Sequence, residues 1–124
     1  MNKETDLESF EYWKEHWKSK PMDMKSYQRE AQKTAIYGVN HAVIYPALGL
    51  AGEAGEVANK VKKMLRDGDF DRQAVAAELG DCLWYIAAMC RDLNMNMGDV
   101  AVDNLEKLMK RKAKGTIKGS GDNR

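Results

Sequence analysis

Two short acidic motifs, Glu53-x-x-Glu56 and Glu78-x-x-Asp81, are the residues of this sequence best suited to chemistry. Residues three apart on an α-helix lie on one face about one turn apart, so each motif presents two carboxylates together. The second pair lies in segment 74–93, which is apolar nearly all round and is therefore predicted to be a buried helix. Carboxylates on a buried helix need partners, because unpaired charges are costly in the protein interior. We therefore expect the four carboxylates to converge and to bind a divalent metal.

The types of these residues indicate which metal that would be. Oxygen ligands without histidine or cysteine favour Mg²⁺, with Mn²⁺ as the alternative, over zinc. The Glu-x-x-His signature of di-iron bundles is absent from the sequence. Mg²⁺ is often shared with substrate phosphates, and Lys60 and Lys63 continue the polar stripe of the first motif. This arrangement predicts a triphosphate site, although Glu56 and Lys60 could equally form an ordinary surface pair.

The elements that must position these residues are predicted to be helices. The chain has 124 residues, with 44% hydrophobic and 31% charged residues, which is ordinary for one soluble domain. Its fold class is predicted to be all-α, an antiparallel bundle of about four to five helices that oligomerises. The predicted helices are a possible one within 1–20 capped by Asp6 or Ser9, one from Ser26 as N-cap to Gly38, one from Pro46 to about Arg66, one from about Arg72 to Leu93 capped by Asp71, and one from Met97 or Asp99 to about Lys112.

The chain is predicted to have three parts: a helical extension at 1–22, a helical domain at 23–114 that carries both acidic motifs, and a glycine-rich basic tail at 115–124. In the extension, Phe10, Trp13 and Trp17 form a narrow apolar stripe. That stripe is interpreted as core or oligomer packing, with a stacking surface for bases as the alternative. The tail is expected to be mobile when no ligand is bound.

The remaining bulk properties restrict location and partners. The formal charge is only +1, which gives no whole-chain argument for nucleic acid or membrane as a partner, although residues 105–124 carry a local charge of +5. Cys82 and Cys90 are eight residues apart on one predicted helix, too far for a disulfide, and are expected to be free thiols. Neither a secretory signal nor a membrane-spanning run is recognisable, so a cytoplasmic protein is predicted.

Three segments taken in order make the sequence similar to a known family. LGLAGEAGEVANKVKK, ELGDCLWYIAAM and DNLEKLMKRKAKGTIKGSGDNR resemble the MazG-type, all-α nucleoside triphosphate pyrophosphohydrolases over residues 26–124. The resemblance implies a helical bundle that needs Mg²⁺ and cleaves a nucleoside triphosphate between the α- and β-phosphates, giving the monophosphate and pyrophosphate. It also implies a dimer or tetramer with sites near subunit interfaces, and a role in cleansing the nucleotide pool.

The resemblance assigns roles residue by residue. It implies that Glu53 orients the attacking water, that Tyr85 packs against base or sugar, and that Trp84 faces the core. Gly52 stands where many members carry another glutamate, which leaves open the number of metals and the identity of the base. The implied metal ligands are Glu53, Glu56, Glu78 and Asp81, and the other implied substrate contacts are Lys60, Lys63, Asn104, Lys107 and Arg111.

Three functions from different classes remain open at this stage. The first is the pyrophosphohydrolase, including a dUTPase-like relative with narrow substrate choice. The second is a non-enzymatic helical interaction protein whose acidic stripes are salt-bridged packing surfaces. The third, which the sequence favours least, is a nucleic-acid binder that uses the basic tail.

Overall fold

The computed structural model describes residues 3–124, with side-chain surroundings from Leu7 onwards, and this part of the chain forms five α-helices and no strand. The predicted all-α fold class is therefore confirmed. Residues 1 and 2 of the predicted extension, and the side chain of the predicted cap Asp6, lie outside this description. The helices are α1 (Lys3–Trp17), α2 (Met24–Gln32), α3 (Ile44–Asp67), α4 (Arg72–Asp92) and α5 (Met97–Lys114), with a 3₁₀ turn at Val39–His41 between α2 and α3.

A short turn sets α4 against α3, and these two helices make the most extensive helix–helix contact of the described residues. Gly68 ends α3 in the left-handed conformation, at φ 74°. Asp71 caps α4, as predicted, by accepting bonds from the backbone N–H groups of Gln73 (3.0 Å) and Ala74 (3.1 Å). So short a connection returns the chain antiparallel to itself and brings the two acidic motifs face to face.

The predicted ends of α2 were wrong. Asp23 is the N-cap and accepts a 2.8 Å bond from the backbone N–H of Ser26, the residue predicted for that role. The helix ends at Gln32, well before Gly38. At that end the hydroxyl and the backbone N–H of Thr34 both donate to the carbonyl of Ala31, at 2.7 and 3.0 Å.

Two other predicted starts were also wrong. Helix α1 begins at Lys3, before either predicted cap. Helix α3 begins at Ile44, so Pro46 lies within its first turn, where its missing N–H has no intrahelical partner to lose.

The core is small and lies where α2, α4 and the start of α5 meet. Its buried residues are Ala31, Ala87, Cys90 and Met97, with Tyr27 and Trp84 packed against them. The expectation that α4 is buried all round was wrong for a single chain. Leu79, Leu83 and Ile86 remain 54%, 39% and 36% exposed, because α3 and α2 cover other faces of the helix.

Among the described residues, Cys82 and Cys90 are both free, as predicted. No helix in that part of the chain combines the length and apolar character needed to cross a membrane.

Candidate active site

Three carboxylates converge between α3 and α4. Glu53, Glu78 and Asp81 each offer one oxygen, and these oxygens all lie within 4.8 Å of one another. Glu53 and Glu78 are half-buried, whereas Asp81 is exposed. The structure thus brings together three of the four residues predicted as metal ligands.

The cluster carries more negative charge than the chain neutralises. Partial burial of Glu53 raises its pKa, and its hydrogen bond to Glu78 and the nearby charges of Asp81, Glu78 and Glu56 act in the same direction. One base enters the cluster: Lys60 Nζ lies 3.4 Å from Glu78 Oε1. One ammonium cannot balance three carboxylates, and an all-oxygen donor set suits a hard divalent cation, so the residues present fit Mg²⁺ or Mn²⁺.

The fourth predicted ligand, Glu56, is not part of this group. It lies one turn along α3 from Glu53, and its side chain is exposed. Lys60, which the sequence could have paired with Glu56, is paired with Glu78 on the opposite helix instead. Glu56 reaches the cluster only through its charge, which contributes to the raised pKa of Glu53.

A cavity of about 370 Å³ opens beside the carboxylates. Tyr85 lies on its wall against Gly49, where any side chain would overlap the tyrosine ring. This close approach explains the glycine at position 49 of α3 and holds the Tyr85 ring at the cavity wall. The cavity is lined by Thr34, Ile36, Tyr37, Tyr45, Glu53, Asp81, Trp84 and Tyr85.

Four aromatic rings form most of the cavity's apolar wall. Tyr37 stacks on Tyr45 with 4.7 Å between ring centroids and 24° between planes, and Tyr45 lies 6.3 Å from Tyr85. Trp84 meets Tyr85 edge to face at 5.1 Å, and its Nε1 donates to Thr34 Oγ1 at 2.8 Å. Trp84 therefore lines the cavity as well as packing on the core, whereas only the core position was predicted. Such a surface suits a planar ring.

Sequence reasoning missed Thr34, Ile36, Tyr37 and Tyr45. Tyr45 had a readable signal, since it lies eight residues before Glu53 on one helix face, with Gly49 between them. The other three lie in the connection between α2 and α3, where periodicity gives no guide.

The structure does not bring the predicted substrate contacts of α5 into this cavity. Lys107 and Arg111 lie beside Asp122 of the tail, whose Oδ1 is 3.3 Å from Lys107 Nζ and 3.1 Å from Arg111 Nη2. Arg111 is buried, and its Nη2 also donates to the carbonyls of Gly121 and Asp122. The predicted mobile tail is thus folded against α5.

The two remaining predicted contacts are exposed and do not line the cavity. They are Lys63 on α3 and Asn104 on α5.

Two comparisons with known proteins show the family of this chain. The MazG nucleotide pyrophosphohydrolase domain matches residues 45–116, more than half of the chain. The chain belongs to this family. It is also 46% identical over 114 residues to the "Gene 37 protein" of Mycobacterium phage L5, with 83% of this chain and 100% of that protein covered. No solved structure matches the chain.

The matched range contains both acidic motifs, all of α4 and α5 and all of α3 except Ile44. It leaves out α1, α2 and the connection that carries Thr34, Ile36 and Tyr37. The carboxylate side of the cavity therefore lies within the matched domain, and part of the aromatic side lies outside it.

Proposed function

We propose that this protein is a Mg²⁺-dependent nucleoside triphosphate pyrophosphohydrolase that cleaves the bond between the α- and β-phosphates and releases a monophosphate and pyrophosphate. The observation that carries the proposal is the opening of the three-carboxylate cluster directly onto an aromatic cavity. A nucleotide has the same two-part chemistry, with a charged phosphate chain at one end and a planar base at the other. Family membership supports the reaction class.

Glu53, Glu78 and Asp81 would hold the metal, and Glu56 is a fourth candidate from one turn away. A divalent cation bound there would neutralise phosphate charge and make a water more acidic. Glu53 is our candidate for the group that orients this water and accepts its proton, because its half-buried carboxylate belongs to the cluster and also lines the cavity.

The other roles follow from position. Lys60, on the edge of the cluster, is the base best placed to neutralise phosphate. Tyr85 and its aromatic neighbours would contact the base or sugar. Lys107 and Arg111 contact Asp122, so a phosphate at this place would compete with that carboxylate. No contact places Lys63 or Asn104 near substrate.

The test is a panel of ribo- and deoxynucleoside triphosphates incubated with Mg²⁺, with pyrophosphate and orthophosphate measured separately. We expect pyrophosphate release on at least one member and its loss in Glu78→Gln. Asp103→Asn, an exposed carboxylate outside every ion pair of the described residues, is the matched control. A flat panel would favour the interaction protein instead, and orthophosphate alone would contradict the bond assignment.

We also propose that the active form is a homo-oligomer, in which a second copy covers the outer face of α4. Leu79, Leu83 and Ile86 recur at four- and three-residue spacing on that face, and Leu105 and Leu108 of α5 are 60% and 38% exposed. Five hydrophobic residues are buried in the described part of the chain, a small core for its size. Sedimentation should show a dimer or tetramer that Leu83→Glu disrupts. A monomer at every concentration would contradict this.

A further inference from the structure

One buried carboxylate, Asp92, ties the connection between α2 and α3 to the end of α4. Its side chain is 5% exposed. Oδ2 accepts bonds from the Tyr37 hydroxyl at 2.7 Å and from the backbone N–H of Val43 at 2.9 Å. Oδ1 accepts from Arg91 Nε at 3.1 Å and from Arg91 Nη2 at 3.0 Å. Both oxygens therefore have two donors each.

The two donors to Oδ2 lie in the connection between α2 and α3, which also carries Thr34 and Ile36 of the cavity wall. Tyr37 lines the cavity and stacks on Tyr45, while the Arg91 guanidinium lies 5.2 Å from the centre of its ring. Val43 adopts φ 68°, which is strained for a β-branched residue and persists only where its surroundings hold it. The bond from its N–H to Asp92 is one such restraint.

We propose that Asp92 is a positioning residue for nucleobase binding, which fixes the Tyr37 ring and the turn at Val43 so that the aromatic cavity is formed before substrate arrives. Preorganisation of this kind lowers the entropy lost on binding. The inference rests on the proposed function in taking the cavity as the base-binding side of a nucleotide site. Asp92 is a different residue from the carboxylates of the metal cluster and belongs to the opposite end of α4.

The pairing of donors and acceptors explains why a carboxylate is needed here. All four donors point at acceptor oxygens, so an asparagine would direct its NH₂ group at two donors in either orientation. Burial raises the pKa of Tyr37 to about 12, with the bond to Asp92 acting in the same direction. Burial also opposes ionisation of Asp92, but the bonds from Val43, Tyr37 and Arg91 outweigh it and lower its pKa. At neutral pH the Tyr37 hydroxyl therefore keeps its proton and the Asp92 carboxyl stays ionised.

The experiment compares Asp92→Asn, Tyr37→Phe and the exposed control Asp103→Asn in the full chain. The KM and kcat for a nucleoside triphosphate and the inhibition constant of inorganic tripolyphosphate, which has no base, are measured for each. We expect Asp92→Asn to raise KM about tenfold, with kcat and the tripolyphosphate constant within about twofold of the unsubstituted protein. Tyr37→Phe should raise KM about threefold, since it removes the two hydrogen bonds of the hydroxyl, to Asp92 and from Arg91, and keeps the ring.

The proposal would be overturned if Asp92→Asn weakened tripolyphosphate binding by the same factor as it raised the KM for the nucleotide. A fall in kcat at constant KM would also overturn it. Near-ultraviolet circular dichroism of the free protein gives a readout that does not depend on turnover. Asp92→Asn should change the tyrosine signal while the far-ultraviolet helix signal stays intact. If the unsubstituted protein hydrolyses no nucleotide, the proposed reaction is wrong, and the near-ultraviolet spectrum alone tests the role of Asp92. An unchanged tyrosine signal in Asp92→Asn would then overturn the positioning role. Should Asp92→Asn not fold, Tyr37→Phe provides the same comparison.

Discussion

The acidic cluster between α3 and α4 and the basic end of α5 are charged regions of opposite kind. In the first, three carboxylates share one lysine, and their mutual repulsion contributes to the raised pKa of Glu53. In the second, Asp122 of the tail pairs with Lys107 and Arg111, and these bases lower the pKa of Asp122. The tail thus supplies one carboxylate to two bases of the basic region, whereas three carboxylates of the acidic region face one lysine.

This difference indicates where a ligand binds. A cluster of like charges is stabilised when a cation enters, while bases that already bind a carboxylate must exchange that contact for a new one. The lysines and arginines of a sequence therefore do not mark a phosphate site until their partners are known.

The largest effect is expected at the acidic cluster. Glu78→Gln removes a proposed metal ligand and the partner of Lys60, and should lower kcat/KM more than about 100-fold, since even outer partners of metal ligands cost 10–100-fold. Steady-state pyrophosphate release measures this. A loss equally large in Asp103→Asn would show that the assay reports something other than the cluster.

Substitutions in the basic region should change the free energy of unfolding. Arg111 is buried and bonds the tail, so Arg111→Met should lower the free energy of unfolding by about 2 kcal/mol in urea titrations. Lys110→Met, at an exposed pair with Glu106, is the control and should cost less than about 0.5 kcal/mol. If both substitutions lowered the free energy of unfolding by the same amount, the contacts of Arg111 with the tail would contribute nothing to stability.

Comparing one lysine from each region sharpens the contrast. Lys60→Ala should raise KM about tenfold, as expected for a base beside the phosphates, and Lys107→Ala less than about threefold. If Lys107→Ala had the larger effect, substrate would have to displace Asp122, and the basic region would belong to the active site.

The smallest effect is a pH dependence without metal. A raised pKa means that Glu53 favours the folded state when protonated, and this contribution is lost as pH rises through the raised value. Glu53→Gln should therefore raise the Tm of the metal-free protein at neutral pH, and the difference should vanish at acidic pH. If Glu53→Gln were less stable than the unsubstituted protein at neutral pH, that result would contradict repulsion between Glu53 and the neighbouring carboxylates.

Features of this structure that depend on residues close together in the sequence could be predicted, whereas features that depend on distant residues could not. The Asp71 cap and the convergence of Glu53 with Glu78 and Asp81 follow from local spacing and one short turn. The aromatic wall does not, because Tyr37 is held by Asp92, 55 residues away.

The course of the tail was equally unpredictable. Its glycines indicated mobility, but its anchors, Asp122 and Arg124, find partners on α5 and within the tail itself. The burial of α4 was overestimated. An apolar helix surface has to be covered, but the sequence does not show whether its own chain or a second copy covers it.

The most direct test of the central claim is Mn²⁺ binding, followed by the electron paramagnetic resonance signal of the free ion. The unsubstituted protein should bind Mn²⁺, and Glu53→Gln and Glu78→Gln should each weaken binding more than about tenfold. Glu56→Gln should weaken it less, because Glu56 lies outside the cluster. Equal Mn²⁺ affinity in the unsubstituted protein and in Glu78→Gln would contradict a metal site between α3 and α4, and with it the proposed enzyme.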